Sequence, residues 1–298
     1  MDAYTVGVFT NIGLLSFLGL SAYVLLITGE LSFGQQAFFG VGAYAAGVGT
    51  AMFGLPLVVA TAAAMASGAL AALVVGLPTL RLRGLYFAMA TLAAAEMFRI
   101  LFELLHWQRD VGGERVGPDG TQGFRGIRWV FEQGIEAAGF LIVVYGVLAL
   151  LVAALVFVER SRLGATLRAV GEDPEQAASL GIDILRLKLG VVAAAGAVAG
   201  LGGALYAHHT TYVEPRNFDI MLGVHGLAYA LIGGLGTALG PLLGVVLDIG
   251  LLEGSRLFAG YRMIVFGGLV ALLLVIRPRG ILDERIVHGW RHRAWRPR

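Results

Sequence analysis

The sequence predicts an all-α, polytopic transmembrane helical bundle of about nine spans, within a range of roughly eight to ten, and three observations lead there. Hydrophobic residues make up 57% of the chain and charged residues only 14%, where a soluble domain carries roughly a quarter charged residues. Mean hydropathy is +0.79, more apolar side chain than one water-soluble core could hide. Several apolar windows exceed the roughly 18 residues that read as a spanning helix. The 44 glycines suit helix packing in lipid, where small residues let backbones approach. Long Ala/Leu/Gly/Val runs exclude a β-barrel, whose strands alternate lipid-facing and lumen-facing residues.

In chain order the expected spans are 5–27, 31–53, 55–77, 84–105, 137–158, 189–207, 222–239, 241–256 and 262–276. The opening MDAYTVGVFT lacks the basic region and cleavage site of a signal peptide, so the first span is expected to be retained. The segment 31–53 begins LSFGQQAFFGVGAYAAG, polar at Gln35 and Gln36 and dense in glycine. It reads as a complete span or as a broken or re-entrant helix, which membranes tolerate only where protein or a watery cavity surrounds it. Residues 222–254 form one apolar block, near 50 Å if helical and too long for a single span. Gly240 and Pro241 within GGLGTALGP are expected to divide it.

Two hydrophilic stretches remain, a loop at 106–136 and a charged island at 159–188. The island carries Arg160, Arg162, Arg168, Arg186 and Lys188 against Glu159, Glu172, Asp173, Glu175 and Asp183. Lys/Arg accumulate in short cytoplasmic segments, which assigns the island, Arg81–Arg83 and the Arg- and Trp-rich segment 277–298 to the inside. Residues 1–276 then form the transmembrane domain and 277–298 a basic cytoplasmic tail lying against anionic headgroups. Parity requires an even number of spans between island and tail; dividing 222–254 supplies four, with five before the island and the N-terminus outside.

Within the island, Asp173-Pro174-Glu175-Gln176 reads as a helix start: Asp173 as N-cap, Pro174 in the first turn, and Gln176 closing a capping box. Glu175 meets the positive end of the helix dipole. Gly181 ends a helix of about seven residues, roughly 10 Å long. So short a helix is marginal in water and must be held by its flanks or by a partner.

Chemistry within the chain is sparse. The sole lysine, Lys188, has no G-x-x-x-x-G before it, so the chain has no P-loop and binds no ATP through one. Glu96, Arg99 and Glu103 share one face of the fourth span. They read either as an ion-paired stripe sealing helices or as a polar lining for a substrate. Asp248 and Glu253 divide in the same way, with Arg256 or Arg262 as partners. Gln35, Gln36 and Tyr44 read as pathway-lining residues or as helix entry and packing. His208, His209 and His225 lack metal-ligand spacing, no metal site is expected, and no nucleophile–base set is visible.

The run SRLGATLRAVGEDPEQAASLGIDILRLKLGVVAAAGAVAGLGGALYA resembles the signature of permease subunits of branched-chain amino acid ABC importers. LSFGQQAFFGVGAYAAG, RLRGLYFAMATLAAAE, GPDG, GGLGTALGP and RPRGI are similar to that family too, in order from about residue 31 to 281. RLRG-LYFAMATL and GPDG point to the M-type partner of a permease heterodimer. The outer-loop VGGERVGPDG departs from the tighter run usual in the family.

The resemblance implies a transmembrane subunit of an inner-membrane importer that translocates branched-chain or other hydrophobic amino acids. It implies a second homologous permease, two cytoplasmic ATPase subunits and a periplasmic substrate-binding protein as partners. No cofactor is implied on this chain; ATP and magnesium belong to the ATPases, and no nucleic acid is involved. The coupling segment falls on Ala177, Ala178, Gly181 and Ile182, with Pro174 opening its helix and Glu172, Asp173 and Glu175 facing basic groups of the ATPase. Urea and short-amide importers use near-identical permeases and are the alternative. An ion-coupled carrier built on Glu96, Asp248 or Glu253, or a non-transporting membrane anchor, would be a different class of protein.

Overall fold

The computed structural model describes residues 3–111, 113–253, 261–277 and 280–282. Helices dominate, as expected. The first half holds α1 (Ala3–Leu26), α2 (Gln35–Gly47, continued by a π-helical segment Val48–Met52), α3 (Leu57–Thr79) and α4 (Leu85–Leu104). A short α5 (Trp129–Glu132) precedes α6 (Ala137–Arg160), α7 (Arg162–Glu172) and α8 (Pro174–Ser179). Then come α9 (Ile184–Thr210), α10 (Ile220–Gly233), α11 (Leu239–Val245, continued as a π-helix Val246–Glu253) and α12 (Arg262–Ile276).

Helix α9 is the centre of the bundle, and its small residues explain why. Gly196 and Gly200 face Gly68 and Ala64 of α3, while Gly200 also faces Gly42 and Gly203 faces Phe39, both of α2. A Cβ on any of these glycines would overlap a neighbouring backbone carbonyl or the Ala72 methyl. The helices therefore meet backbone to backbone, the arrangement that substitutes for a hydrophobic driving force in lipid. By contrast α6 is buried over only 11% of its most apolar window. It packs on α1 through Val144 and Leu148 and leaves Leu150 and Phe157 exposed.

On length and composition, five helices could cross a bilayer: Tyr4–Leu26, Leu57–Thr79, Leu85–Leu104, Ala137–Arg160 and Ile184–Thr210. The other four expected spans are helical but shorter. Helix α10 has 14 residues, near 21 Å against a hydrocarbon core of about 30 Å. The segment 31–53 becomes a helix only from Gln35, which is fully buried, and α2 with its π-helical continuation runs without a break to Met52.

Three expectations are corrected. The block 222–254 does divide, but at Gly234–Ala238; Gly234 (φ +95°) ends α10, and Gly240 and Pro241 lie inside α11. Proline is tolerated there because a first helical turn needs no amide donor. The island holds more than the single short helix expected: α7 fills its first half, capped by Ser161, with Leu167 and Val170 buried, and α9 starts at Ile184 with Asp183 as cap. The 106–136 loop is also ordered. Strands β1 (Arg109–Val111), β2 (Glu114–Pro118) and β3 (Phe124–Arg125) join β4 (Tyr212–Val213) in an antiparallel sheet of order β1-β2-β3-β4.

The sheet closes one end of the bundle and the island closes the other. At the island end Gly171 of α7 abuts the Ile27 carbonyl just past α1. The segment after α12 folds back to the same end, where Ile281 and Leu282 amides donate to the carbonyls of Ile232 and Gly233 at 2.9 Å. Beyond that contact the basic tail, like Arg256, lies outside the described residues, as do the side chains of Glu253 and Arg262.

Candidate coupling and pathway site

Helix α8 is built as its sequence requires. Asp173 Oδ1 accepts from the amides of Glu175 and Gln176, both at 3.0 Å, and Pro174 opens the first turn. The capping box does not close, because the Asp173 amide that Gln176 would serve already donates to the Ala169 carbonyl at the end of α7. The helix runs six residues, Pro174–Ser179, and only Ala177 is buried. Glu172, Asp173, Pro174, Glu175 and Ala178 are exposed and Ile182 is half-buried. Gly181 turns the chain with φ +83° and no atom within 4 Å of a Cβ placed there. Its amide donates to the Ala178 carbonyl at 2.9 Å.

Leu180, 76% exposed, projects at the tip of this element. It was missed in the sequence, although an apolar residue placed just before the helix-ending glycine of a charged segment was there to be seen. Among the described residues Glu175 pairs with Arg83 at 3.5 Å, and both side chains are more than four-fifths exposed. A pair so exposed adds little stability.

The island is tied to the bundle by two buried ionic groups. Lys188 pairs with Glu30, which is 7% exposed and lies in the segment leading from α1 to α2. Glu159, also 7% exposed, sits at the end of α6. Its Oε1 accepts from Tyr23 Oη at 2.7 Å and the Ala238 amide at 2.6 Å, and its Oε2 from Thr237 Oγ1 at 3.3 Å. One carboxylate thereby joins α1, α6 and the α10–α11 break. Sequence reading counted Glu159 as one of ten island charges; its donors come from residues 23, 237 and 238, which no local pattern reveals.

The pathway candidates lie inside the bundle. Gln35 Oε1 is 2.5 Å from Ser21 Oγ, which is itself 2.7 Å from the Ala195 carbonyl. Gln35 Nε2, Gln36 Oε1 and Tyr44 Oη are buried with no hydrogen-bond partner among the described residues. Gln36, Gly40 and Tyr44 repeat at helical spacing on one side of α2. Gly40 is pressed against Phe102 and Phe218, and Tyr44 stacks on Phe102 with centroids 4.4 Å apart. Glu96 is elsewhere. Arg99 holds it at 2.5 Å and also pairs with Glu103, giving the ion-paired stripe on α4.

Asp248, fully buried, accepts from Tyr229 Oη at 2.8 Å. His208 lies between the Ala204 carbonyl and Thr50 Oγ1, while His209 stacks on Phe140 and His225 on Phe266. At the sheet end, burial and the Glu214 carboxylate raise the pKa of the Tyr212 hydroxyl, which donates to the Gln122 carbonyl.

A family model described as the permease component of branched-chain amino acid transport systems matches residues 4–276. The chain belongs to that family. LivM of Salmonella typhimurium LT2, a high-affinity branched-chain amino acid transport permease, is 32% identical over 292 residues, covering 92% of this chain and 68% of LivM. LivM of Escherichia coli K12 is 30% identical over 298 residues, covering 93% and 70%. The LivH permease of Escherichia coli K12 is similar over a shorter stretch, 33% identical across 43% of this chain and 42% of LivH. No solved structure matches the chain. With five helices able to cross a bilayer, this member of a permease family is a multi-pass membrane protein.

Proposed function

We propose that this permease is one of two transmembrane subunits of an ATP-driven importer of branched-chain or other hydrophobic amino acids in a bacterial inner membrane. ATP and magnesium bind separate ATPase subunits at the island end. A periplasmic binding protein delivers substrate at the sheet end, and a second related permease completes the path. The nine apolar helices cross or enter the bilayer nine times, which returns the chain after α12 to the island side.

The observation that carries this reading is α8. A six-residue helix, capped by Asp173 and leaning on Ala177, presents its remaining side chains outward beside exposed Leu180. An element that small is marginal alone; α7 and α9 hold it here, with its outward side chains open to a partner. Glu172 and Glu175 offer charge to a basic ATPase cleft, while Ala178, Gly181 and Ile182 permit close approach. Motion of α8 reaches the path through α7: Gly171 rests on the segment after α1, and the Glu30–Lys188 pair ties that segment, which leads into α2, to α9.

The unpaired polar atoms of Gln35, Gln36 and Tyr44 support a substrate route along α2. A buried donor or acceptor without a partner costs about 1–3 kcal/mol, a cost that function explains and packing does not. Glu96, neutralised by Arg99, serves that route least directly.

The test is reconstitution with the ATPases, the second permease and the binding protein. ATP hydrolysis stimulated by leucine-loaded binding protein, with uptake, is expected. Gly181→Val should abolish uptake yet leave the bundle folded, since space surrounds Gly181 and only its φ excludes other residues. Uptake by this chain alone, driven by an ion gradient without ATP, would overturn the proposal.

A further inference from the structure

Helix α9 ends at Thr210, and Thr211 turns the chain with φ +59°, the one non-glycine residue of positive φ among those described. Strain of that kind collects at functional sites, where the surrounding structure must hold it. The chain then runs extended through β4 to Glu214, and residues two apart in such a stretch point the same way. Tyr212 Oη accordingly lies 3.3 Å from Glu214 Oε2, but also 3.0 Å from the Gln122 carbonyl. One hydroxyl proton cannot serve both, so half-buried Glu214 has at most a shared, neutral donor. Among the described residues no Lys, Arg or His stands within ion-pair distance of it; Arg125 lies over the Tyr212 ring, 5.6 Å from the centroid.

Within electrostatic reach of Glu214 is Tyr44, the outer end of the row Gln36, Gly40 and Tyr44 on α2. Tyr44 is only 5% exposed, and its hydroxyl has no partner among the described residues. Its ring stacks on Phe102, and Phe218 meets both rings edge-on, with centroids 6.2 Å away in each case. The place therefore combines a carboxylate without a cation, a hydroxyl donor without an acceptor, and an apolar aromatic surface.

Each of these asks for a different group. An uncompensated carboxylate is matched by an ammonium and an idle hydroxyl by a carboxylate, since hydrogen bonds to ionised groups are the strong ones. Aromatic faces accept apolar side chains and tolerate a nearby cation. A zwitterionic α-amino acid with an apolar side chain carries all three groups at once, whereas urea or a neutral amide brings no full charge to Glu214.

We propose that Glu214 and Tyr44 form the outer recognition site of this permease. Glu214 takes the α-ammonium of the incoming amino acid, the Tyr44 hydroxyl donates to its carboxylate, and the rings of Tyr44, Phe102 and Phe218 receive its side chain. The rings pack on one another in this structure, so they part as the substrate enters the route along α2. The inference rests on the amino-acid importer reading above and adds to it the groups that tell an amino acid from an uncharged amide.

The test is leucine uptake by the reconstituted complex, followed together with ATP hydrolysis stimulated by the loaded binding protein. Tyr44→Phe deletes an oxygen that has no partner, so apparent Tm should hold or rise while uptake falls about tenfold, the worth of one hydrogen bond to a charged group. Glu214→Gln keeps the Tyr212 contact and removes the charge; uptake should again fall about tenfold, with stimulated ATP hydrolysis retained. Glu214→Asp, which keeps the charge, should recover part of the loss. Undiminished uptake in Tyr44→Phe or Glu214→Gln would overturn the proposal. So would a parallel loss of stimulated hydrolysis in Glu214→Gln, which would make Glu214 a docking contact for the binding protein. Absence of leucine uptake by the unsubstituted complex would instead overturn the importer reading, and the site with it.

Discussion

Glu159→Ala provides the sharpest test of how the island is fastened to the bundle. The substitution removes the acceptor from Tyr23 Oη, the Ala238 amide and Thr237 Oγ1, and all of these residues are buried. Each orphaned donor costs about 1–3 kcal/mol, with the 3.3 Å Thr237 contact at the low end. Removing a buried carboxylate relieves part of its own desolvation cost, so a net loss of about 3–5 kcal/mol is expected.

Glu159→Gln separates geometry from charge. Its carbonyl oxygen can keep both Tyr23 and Ala238, which share Oε1, and the Thr237 hydroxyl can turn to accept from the new amide. That variant should lose only about 1 kcal/mol, the difference between charged and neutral acceptors. Thermal unfolding in detergent at a fixed scan rate reads both. At roughly 2 °C per kcal/mol for a chain of this size, the apparent Tm should fall about 6–10 °C for Glu159→Ala and about 2 °C for Glu159→Gln. Equal losses would mean that charge, not the three-way bridge, matters. An unshifted Glu159→Ala would mean that the bridge contributes nothing.

Three further outcomes are expected. Lys188→Met strands Glu30 in a buried position and should cost about 3–5 kcal/mol; adding Glu30→Gln should restore most of it, and a double variant no better than the single refutes the pairing. Gly42→Ala would press a methyl into the Gly200 carbonyl and cost about 1–3 kcal/mol by overpacking, again read as a fall in apparent Tm. Asp173→Ala removes the cap of α8, worth about 1 kcal/mol; the bundle should melt as before while ATPase subunits co-purify less well, and unchanged co-purification would argue against α8 as their contact.

What was legible in the sequence was whatever one segment decides by itself. Apolar length located the helices, and Asp173-Pro174 with Gly181 fixed the limits of α8 to within a residue, because caps and breakers act over three or four positions. Where two segments share a decision, single-segment reading faltered. Proline stops a helix, so Pro241 reads as the break, yet its position relative to the end of α10 makes it a first-turn residue of α11. The strands β1 to β3 are two to five residues long, too short for periodicity to register, and β4 completes their sheet from nearly 90 residues away.

Charge was the least legible property of all. Ten charged residues made the island look uniformly exposed, yet Glu159 and Lys188 turn inward while Glu172 and Glu175 do not. The difference lies in their partners. Glu159 ends a helix packed on α1, whose Tyr23 waits there, and Lys188 stands one turn into α9 opposite Glu30. Glu172 and Glu175 flank the cap of α8 in an open cleft beside the α3–α4 turn and the start of α9, where both stay exposed. A charged side chain in such a segment is buried only where the fold brings it a donor or a counter-ion. Glu172 and Glu175 stay outside because the fold brings them no buried donor, and Glu175 reaches only the exposed Arg83.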